Sequence, residues 1–313
     1  MDSITLIKTN YHHHVSMDLY HEFEKNIIEN TNWYVKNSIS SDQAKQIRYL
    51  LKFIPPFQIP FRSKNNFLII GFQKEKFFPY FYYKCDKKIL WMYDSWEPLF
   101  PRIKKTIDGF KINMLLTGSK QSADYFNNLN IKNFTAHWIP EAVDIDNYRF
   151  IDYRDRKIDV LQLGRKWDEL HEIIQSIENE FGISYVFEKI KGEVIFKDRE
   201  DFINGLANSK ISICIPTIIT HPDKTGNIST MTNRYLQSMA SKCLVLGKLP
   251  YDMQYLFDYN PIIEIDLKNP MKQIQSILQN FENYIPLIEK NYDFVKANHT
   301  WKNRIHEMKN IIN

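Results

Sequence analysis

The chain has 313 residues, 43% hydrophobic and 14% aromatic, with a formal charge of +4. That length exceeds one hydrophobic core and points to two α/β domains of roughly 150 residues each. The apolar share excludes a disordered chain, no run reaches the roughly 18 apolar residues that span a bilayer, and the mild charge leaves anionic ligands or a membrane surface open without demanding either.

The opening Met1-Asp2-Ser3-Ile4 lacks the basic-then-apolar order of a signal peptide. Cys85, Cys214 and Cys243 are widely separated, and two of them sit inside apolar strand patterns. Free thiols in a reducing compartment explain them better than disulfides or metal ligands, so the expected location is cytoplasmic, with at most peripheral membrane contact.

Ile4–Ile7 reads as a strand, followed by a polar loop through His12, His13 and His14 and a helical pattern from Met17 to about Ile28. Residues 32–60 show no clear period, and Pro55-Pro56 marks a connector. A regular alternation then begins. Phe67–Ile70, Ile89–Met92, Asn113–Leu116 and Phe134–Ile139 read as strands, each ending in turn chemistry or a polar residue. Helix signals such as Ser119–Ser122 lie between them, which argues for a parallel sheet covered on both faces. Residues 144–157 are polar and aperiodic, and read as a linker. The pattern restarts with Ile158–Leu163, Gly164 and a helix from about Asp168, and a last strand is expected at Ile262–Ile265. In the tail, Trp301, Ile305, Met308 and Ile312 form one apolar helical stripe that must dock on something.

The stretch from Thr217 to Gly247 carries the most chemistry. Ile211–Ile215 before the loop and Cys243–Leu246 after the helix read as buried strands, with the helix opened by Ser229, Thr230, Met231 and Thr232. Such a βαβ unit puts the helix N-terminus at the carboxyl edge of a parallel sheet. Free backbone N–H groups and the helix dipole collect anions there, nucleotide phosphates above all.

With these residues in hand, the chain resembles a GT-B glycosyltransferase of the group-1-like branch that includes spore-maturation proteins and bacterial surface-polysaccharide enzymes. Trp138–Asp144 resembles the segment closing the first domain, and Val160–Lys166 the first strand and phosphate loop of the second. Thr232–Ala240 resembles the donor-site helix, and Asn298–Trp301 with Arg304 the start of the closing helix. The resemblance implies two Rossmann-like domains facing across a cleft, with the C-terminal helix docking back across the domain boundary. The implied division is an acceptor domain over 1–145, a linker over 146–157, a donor domain over 158–295 and the closing helix over 296–313. It also implies transfer of a sugar from a UDP- or GDP-sugar to an acceptor hydroxyl, in glycan or surface-polysaccharide synthesis.

On the donor side the candidates are Gly164, Arg165, Lys166, His221, Ser229, Thr230, Met231, Thr232, Arg234 and Gln237. Arg165 and Lys166 follow a strand where a diphosphate would lie; a solvated basic turn is the alternative. The Ser and Thr residues fit both a phosphate site and an ordinary N-cap. Arg234, one turn before Gln237, faces either the same ligand or a surface ion pair. Gln237 stands where retaining relatives place the second of two donor-site glutamates, and no acid stands near the first position, so retaining chemistry is not carried over. His221 contacts sugar or phosphate, or sits in an exposed loop.

For the acceptor base, His13, His14 and Asp94 are the candidates, with a polar loop and a turn residue as the alternatives. A histidine suits the role because its ordinary pKa lies near about 6.5. Asp144-Ile145-Asp146 reads as a chance match to a metal-binding D-x-D, so no cofactor and no metal is expected, the cations and helix N-terminus replacing the ion. His299–Trp301 reads as packing and capping. Three other readings remain open: a viral-type DNA or modified-base glucosyltransferase, for which a dense basic stripe is missing; a catalytically silent binding protein; and a sugar-nucleotide epimerase.

Overall fold

The computed structural model describes residues 4–8, 18–50, 54, 57–71, 78–164, 166–177, 182–189 and 194–312. Two sheets, parallel throughout, organise the chain. The first half contributes β1 (Ile4–Lys8), α1 (Asp18–Asn30), β2 (Tyr34–Asn37), α2 (Ser41–Leu50), β3 (Asn66–Gly71), α3 (Phe78–Tyr82), β4 (Lys88–Met92), α4 (Phe100–Phe110), β5 (Met114–Thr117), α5 (Lys120–Asn128) and β6 (Thr135–Trp138). Its strand order is β2-β1-β3-β4-β5-β6.

The second half contributes β7 (Ile158–Gln162), α6 (Asp168–Ile177), β8 (Tyr185–Phe187), α7 (Arg199–Ala207), β9 (Ser209–Cys214), α8 (Thr217–Thr220), α9 (Pro222–Thr225), α10 (Asn233–Ala240), β10 (Leu244–Gly247), α11 (Met253–Leu256), β11 (Ile263–Glu264), α12 (Pro270–Gln279), α13 (Ile285–Asn298) and α14 (Trp301–Ile312). Its strand order is β11-β10-β9-β7-β8.

The continuous apolar runs form strands because both faces of a parallel sheet are covered. Side chains alternate between the faces with a period of two. Leu6, Leu68, Ile70, Ile89, Trp91 and Leu116 pack on one side of the first sheet, and Ile7, Phe67, Ile69, Leu90 and Leu115 on the other. The second sheet divides Leu161 and Val245 from Val160, Ile211, Ile213 and Leu244 in the same way.

The chain crosses between the sheets twice, and the two passages are bonded together. Val143 N–H donates to the His299 carbonyl at 3.1 Å, and Trp301 N–H donates to the Val143 carbonyl at 3.2 Å. α14 then lays Trp301, Ile305, Met308 and Ile312 into the core of the first sheet, as the apolar stripe requires. The aperiodic stretch before β7 is more firmly seated than a free linker. Ile145 and Tyr148 are buried in the core of the second sheet. Arg156 is buried with its guanidinium donating to the carbonyls of Ser209 at 2.6 Å and Lys242 at 2.9 Å.

Two strands went unread in the sequence. β2 is an exposed edge strand with no buried face to impose alternation, and β8 is three residues long. Residues 32–60 contain β2 and α2 rather than connector alone.

Candidate active site

The carboxyl ends of the two sheets face one another around a cavity of about 970 Å³. Tyr93 and Asp94, which follow β4, and Glu141, which follows β6, line it from the first sheet. Gly164 and Lys166 after β7, Glu188 after β8 and Thr217 after β9 line it from the second. Strand order in the second sheet reverses between β7 and β9, so this wall is a topological switch point, where parallel sheets leave a crevice for ligands.

Glycine is required at position 164. Its φ is +69°, and a Cβ there would lie 3.2 Å from Nη1 of Arg234. Arg234 reaches over Gly164 from the first turn of α10, and its Nη1 donates to the Leu163 carbonyl. The side chain therefore faces the cavity wall rather than forming a surface ion pair, with its remaining donors available beside the crevice. Lys166 is half-buried and donates to the Glu188 carbonyl at 3.0 Å, which ties the loop after β7 to the end of β8.

The start of α10 forms the floor. The helix begins at Asn233, so Ser229–Thr232 are the chain leading into it rather than its first turn. Thr230, Met231, Thr232 and Gln237 line the cavity, whereas Ser229 turns away, its hydroxyl accepting from the Tyr251 N–H at 3.2 Å. Thr232 sits at the N-cap without a capping bond. Asn233, only 6% exposed, lines the cavity, yet neither its amide oxygen nor its amide nitrogen has a partner. Buried amide groups are ordinarily paired, so Asn233 at the start of α10 stands out as an unsatisfied polar group in the cavity wall. Sequence reasoning passed over Asn233; its position directly after an Ser/Thr run at the helix start was the available signal.

Arg199 is a second residue the sequence did not single out. It projects from α7 into the cavity wall, 3.1 Å from the Glu22 carboxylate of α1. Burial outweighs that pairing and pushes Glu22 up to about 7. The Tyr148 ring lies 5.7 Å below the Arg199 guanidinium, and burial raises its phenol far above the ordinary range. Lys166, Arg199 and Arg234 thus bring cationic groups to the cavity from the second half of the chain, while Asp94 and Glu141 bring carboxylates from the first; Asp168 and Glu188 also border it.

His221 lines the cavity, with Nδ1 3.1 Å from the Thr220 hydroxyl. His13, His14 and Arg165 lie outside the described residues. Asp144 accepts from Asn147 Nδ2 at 3.0 Å in a local turn. Among the described residues no three His, Cys, Asp or Glu side chains converge as metal ligands.

The loop between β9 and α10 is fastened to the first sheet's domain. Asn227 N–H donates to Glu97 at 2.7 Å, and Ser229 N–H donates to Gln121 at 2.8 Å. Ile228 enters the first domain's core. The Thr230 hydroxyl donates to Asp252 at 2.6 Å, and burial raises that carboxyl to about 7.

No family model and no curated protein matches the chain. Solved structures do match it over its whole length. HepE of Anabaena, in complex with UDP and glucose, superposes with a TM-score of 0.63 at 8% identity, covering 100% of this chain and 99% of its own. Sucrose-phosphate synthase of Thermosynechococcus elongatus gives 0.61 at 10% identity, covering 100% and 98%. AviGT4, a glycosyltransferase involved in avilamycin A biosynthesis, gives 0.53 at 10% identity, covering 95% and 96%.

Proposed function

Because the chain has the GT-B fold, we propose that it transfers a sugar from a nucleotide-diphosphate sugar to an acceptor hydroxyl. The observation that carries this reading is the unpaired Asn233 amide at the start of α10, beside Arg234 and Lys166 at the switch point of the second sheet. A diphosphate placed there meets free helix N–H groups, the helix dipole and two cations. The Asn233 amide supplies both a donor and an acceptor, and the Gln237 amide one turn further is suited to a ribose hydroxyl.

In the reaction, the acceptor oxygen bonds to the anomeric carbon as the bond from that carbon to the phosphate oxygen breaks. The nucleoside diphosphate leaves with the electron pair, and Lys166, Arg234 and Arg199 offset its charge. Asp94 or Glu141, on the opposite wall, takes the acceptor proton. The crevice between the two sheets holds donor and acceptor side by side and aligns the partners. The cations and helix N-terminus do the work of a divalent ion, so transfer proceeds without metal. UDP is favoured as the leaving group, since HepE, alike in fold, binds UDP and UDP-glucose.

Calorimetric titration with UDP, GDP, ADP, CMP and dTDP in EDTA tests the donor site. Release of the matching diphosphate from its sugar conjugate, with and without hydroxyl acceptors, tests the transfer. Binding of one nucleotide and acceptor-dependent release are expected. Binding without turnover would leave a silent binding protein, and sugar interconversion without acceptor would make the chain an epimerase.

A further inference from the structure

Away from the cavity, apolar exposure is concentrated in one place. Of the fifteen large hydrophobic side chains that are exposed among the described residues, seven fall within residues 34–61, under a tenth of the chain. Tyr49, Leu50 and Phe61 are 79%, 74% and 74% exposed. The same part of the sequence is basic: residues 34–64 hold six Lys or Arg and one acid. Among the described side chains Arg62 pairs with Asp86 and Lys45 with Asp42, which leaves Lys36 and Lys64 outside any ion pair.

The topology gathers the exposed apolar residues at the amino edge of the first sheet. Tyr34 opens β2, and α2 runs back from the carboxyl end of β2 so that Tyr49 and Leu50 end it near the amino edge. Ile54, Phe57 and Phe61 lie on the path into β3. The Phe57 ring is 4.9 Å from that of Tyr82, the last residue of α3, and the Phe61 carbonyl accepts from Lys84 N–H at 3.4 Å, just before β4. Lys36 and Lys64 are exposed on the same stretch. Apolar patches rimmed by basic residues are uncommon on monomers and mark interaction sites.

We propose that this edge docks the protein on an anionic lipid surface. Exposed rings and aliphatic side chains enter the interface between headgroups and acyl chains, while Lys and Arg meet the anionic headgroups. The aliphatic Leu50, Ile54 and Val35 favour lipid over nucleic acid, which stacks bases on rings and needs a denser basic stripe along its phosphates. Docking here leaves the cavity, at the opposite edge of the sheet, open to soluble nucleotide sugar. Docking at this edge is independent of the proposed transfer, and failure of nucleotide binding leaves it untouched.

Co-sedimentation with phosphatidylglycerol–phosphatidylcholine vesicles and with pure phosphatidylcholine vesicles tests it. Binding to the anionic vesicles only, weakened by salt, is expected. Leu50→Ser with Phe61→Ser, and separately Lys36→Glu with Lys64→Glu, should each cut the partition by about tenfold or more with an unchanged melting temperature. No partition of the parent protein, or partition of both variants equal to that of the parent, overturns the proposal. So does a concentration-dependent dimer in light scattering that the Leu50→Ser, Phe61→Ser variant abolishes, which would assign the surface to a second copy of the chain.

Discussion

Glu22 of α1 and Arg199 of α7 meet at 3.1 Å from opposite halves of the molecule, with the carboxylate side chain only 3% exposed. Glu22 also accepts from the Asp144 N–H at the first crossing between the sheets. One carboxylate therefore joins both domains and the chain between them. The desolvation it suffers exceeds what the guanidinium returns, and the carboxyl is held at about 7 against an ordinary 4.5.

The folded state accordingly binds a proton more tightly than the unfolded chain. A raised acid contributes stability that is full below about pH 4.5 and is lost as pH rises through about 7. At about 1.36 kcal/mol per unit, the shift amounts to an order of 3 kcal/mol. Glu22→Gln keeps an acceptor for the Asp144 N–H and removes the titration. Its urea midpoint should therefore fall less than that of the parent protein between pH 5 and 8. Parallel pH profiles for the two proteins would sink the assignment.

His299 carries the opposite sign. Its Nε2 lies 3.2 Å from the Leu256 carbonyl and its Nδ1 2.6 Å from the Arg304 guanidinium, which fixes Nε2 as the protonated nitrogen and Nδ1 as the acceptor. Burial, then the neighbouring Arg304 charge, holds it down at about 3. A lowered base contributes stability that is present above about pH 6.5 and lost as pH falls toward 3. The ring-proton NMR resonances of His299 should thus stay fixed from pH 8 to 4.5. A titration with a midpoint near 6 would show that the ring is solvated or that Arg304 sits elsewhere.

The two parallel sheets were legible because nearly every strand is an unbroken apolar run ending in turn chemistry: Phe67–Ile70, Ile89–Met92 and Cys243–Leu246 are plain cases. The α14 stripe was legible because a four-three-four spacing has one meaning on a helix. What stayed hidden depends on tertiary placement. Arg199 is an ordinary cation in a polar segment until α7 swings it against Glu22, 177 residues away. Asn233 looks like any polar residue at a helix start until burial strips it of water. Ser229 and Thr230 have similar side chains, yet the path of the loop turns one toward Tyr251 and leaves the other at the cavity.

Asn233 offers a test in which stability and binding move apart. In the unliganded protein its amide is buried without partners, an arrangement that costs about 1–3 kcal/mol. Asn233→Ala should leave the melting temperature unchanged or raise it, and should weaken nucleotide diphosphate binding by about tenfold to a hundredfold, the loss of one or two charge-assisted bonds. Arg234→Ala should weaken the same binding and also loosen the contact with Leu163. A stable Asn233→Ala protein with parental affinity would remove Asn233 from the donor site.

Trp301 tests what the second crossing contributes to the fold. It is fully buried in the first sheet's core with its ring 4.6 Å from Phe23, although it follows the whole second half in the chain. Trp301→Ala should cost about 3–5 kcal/mol through the cavity it opens. The indole N–H has no partner, so Trp301→Phe loses ring volume without losing a hydrogen bond and should cost markedly less. The ordering of the three urea midpoints checks this, parent above Phe above Ala. A Phe variant as unstable as the Ala variant would mean that the indole nitrogen is bonded after all, and that α14 is anchored by polarity as well as by packing.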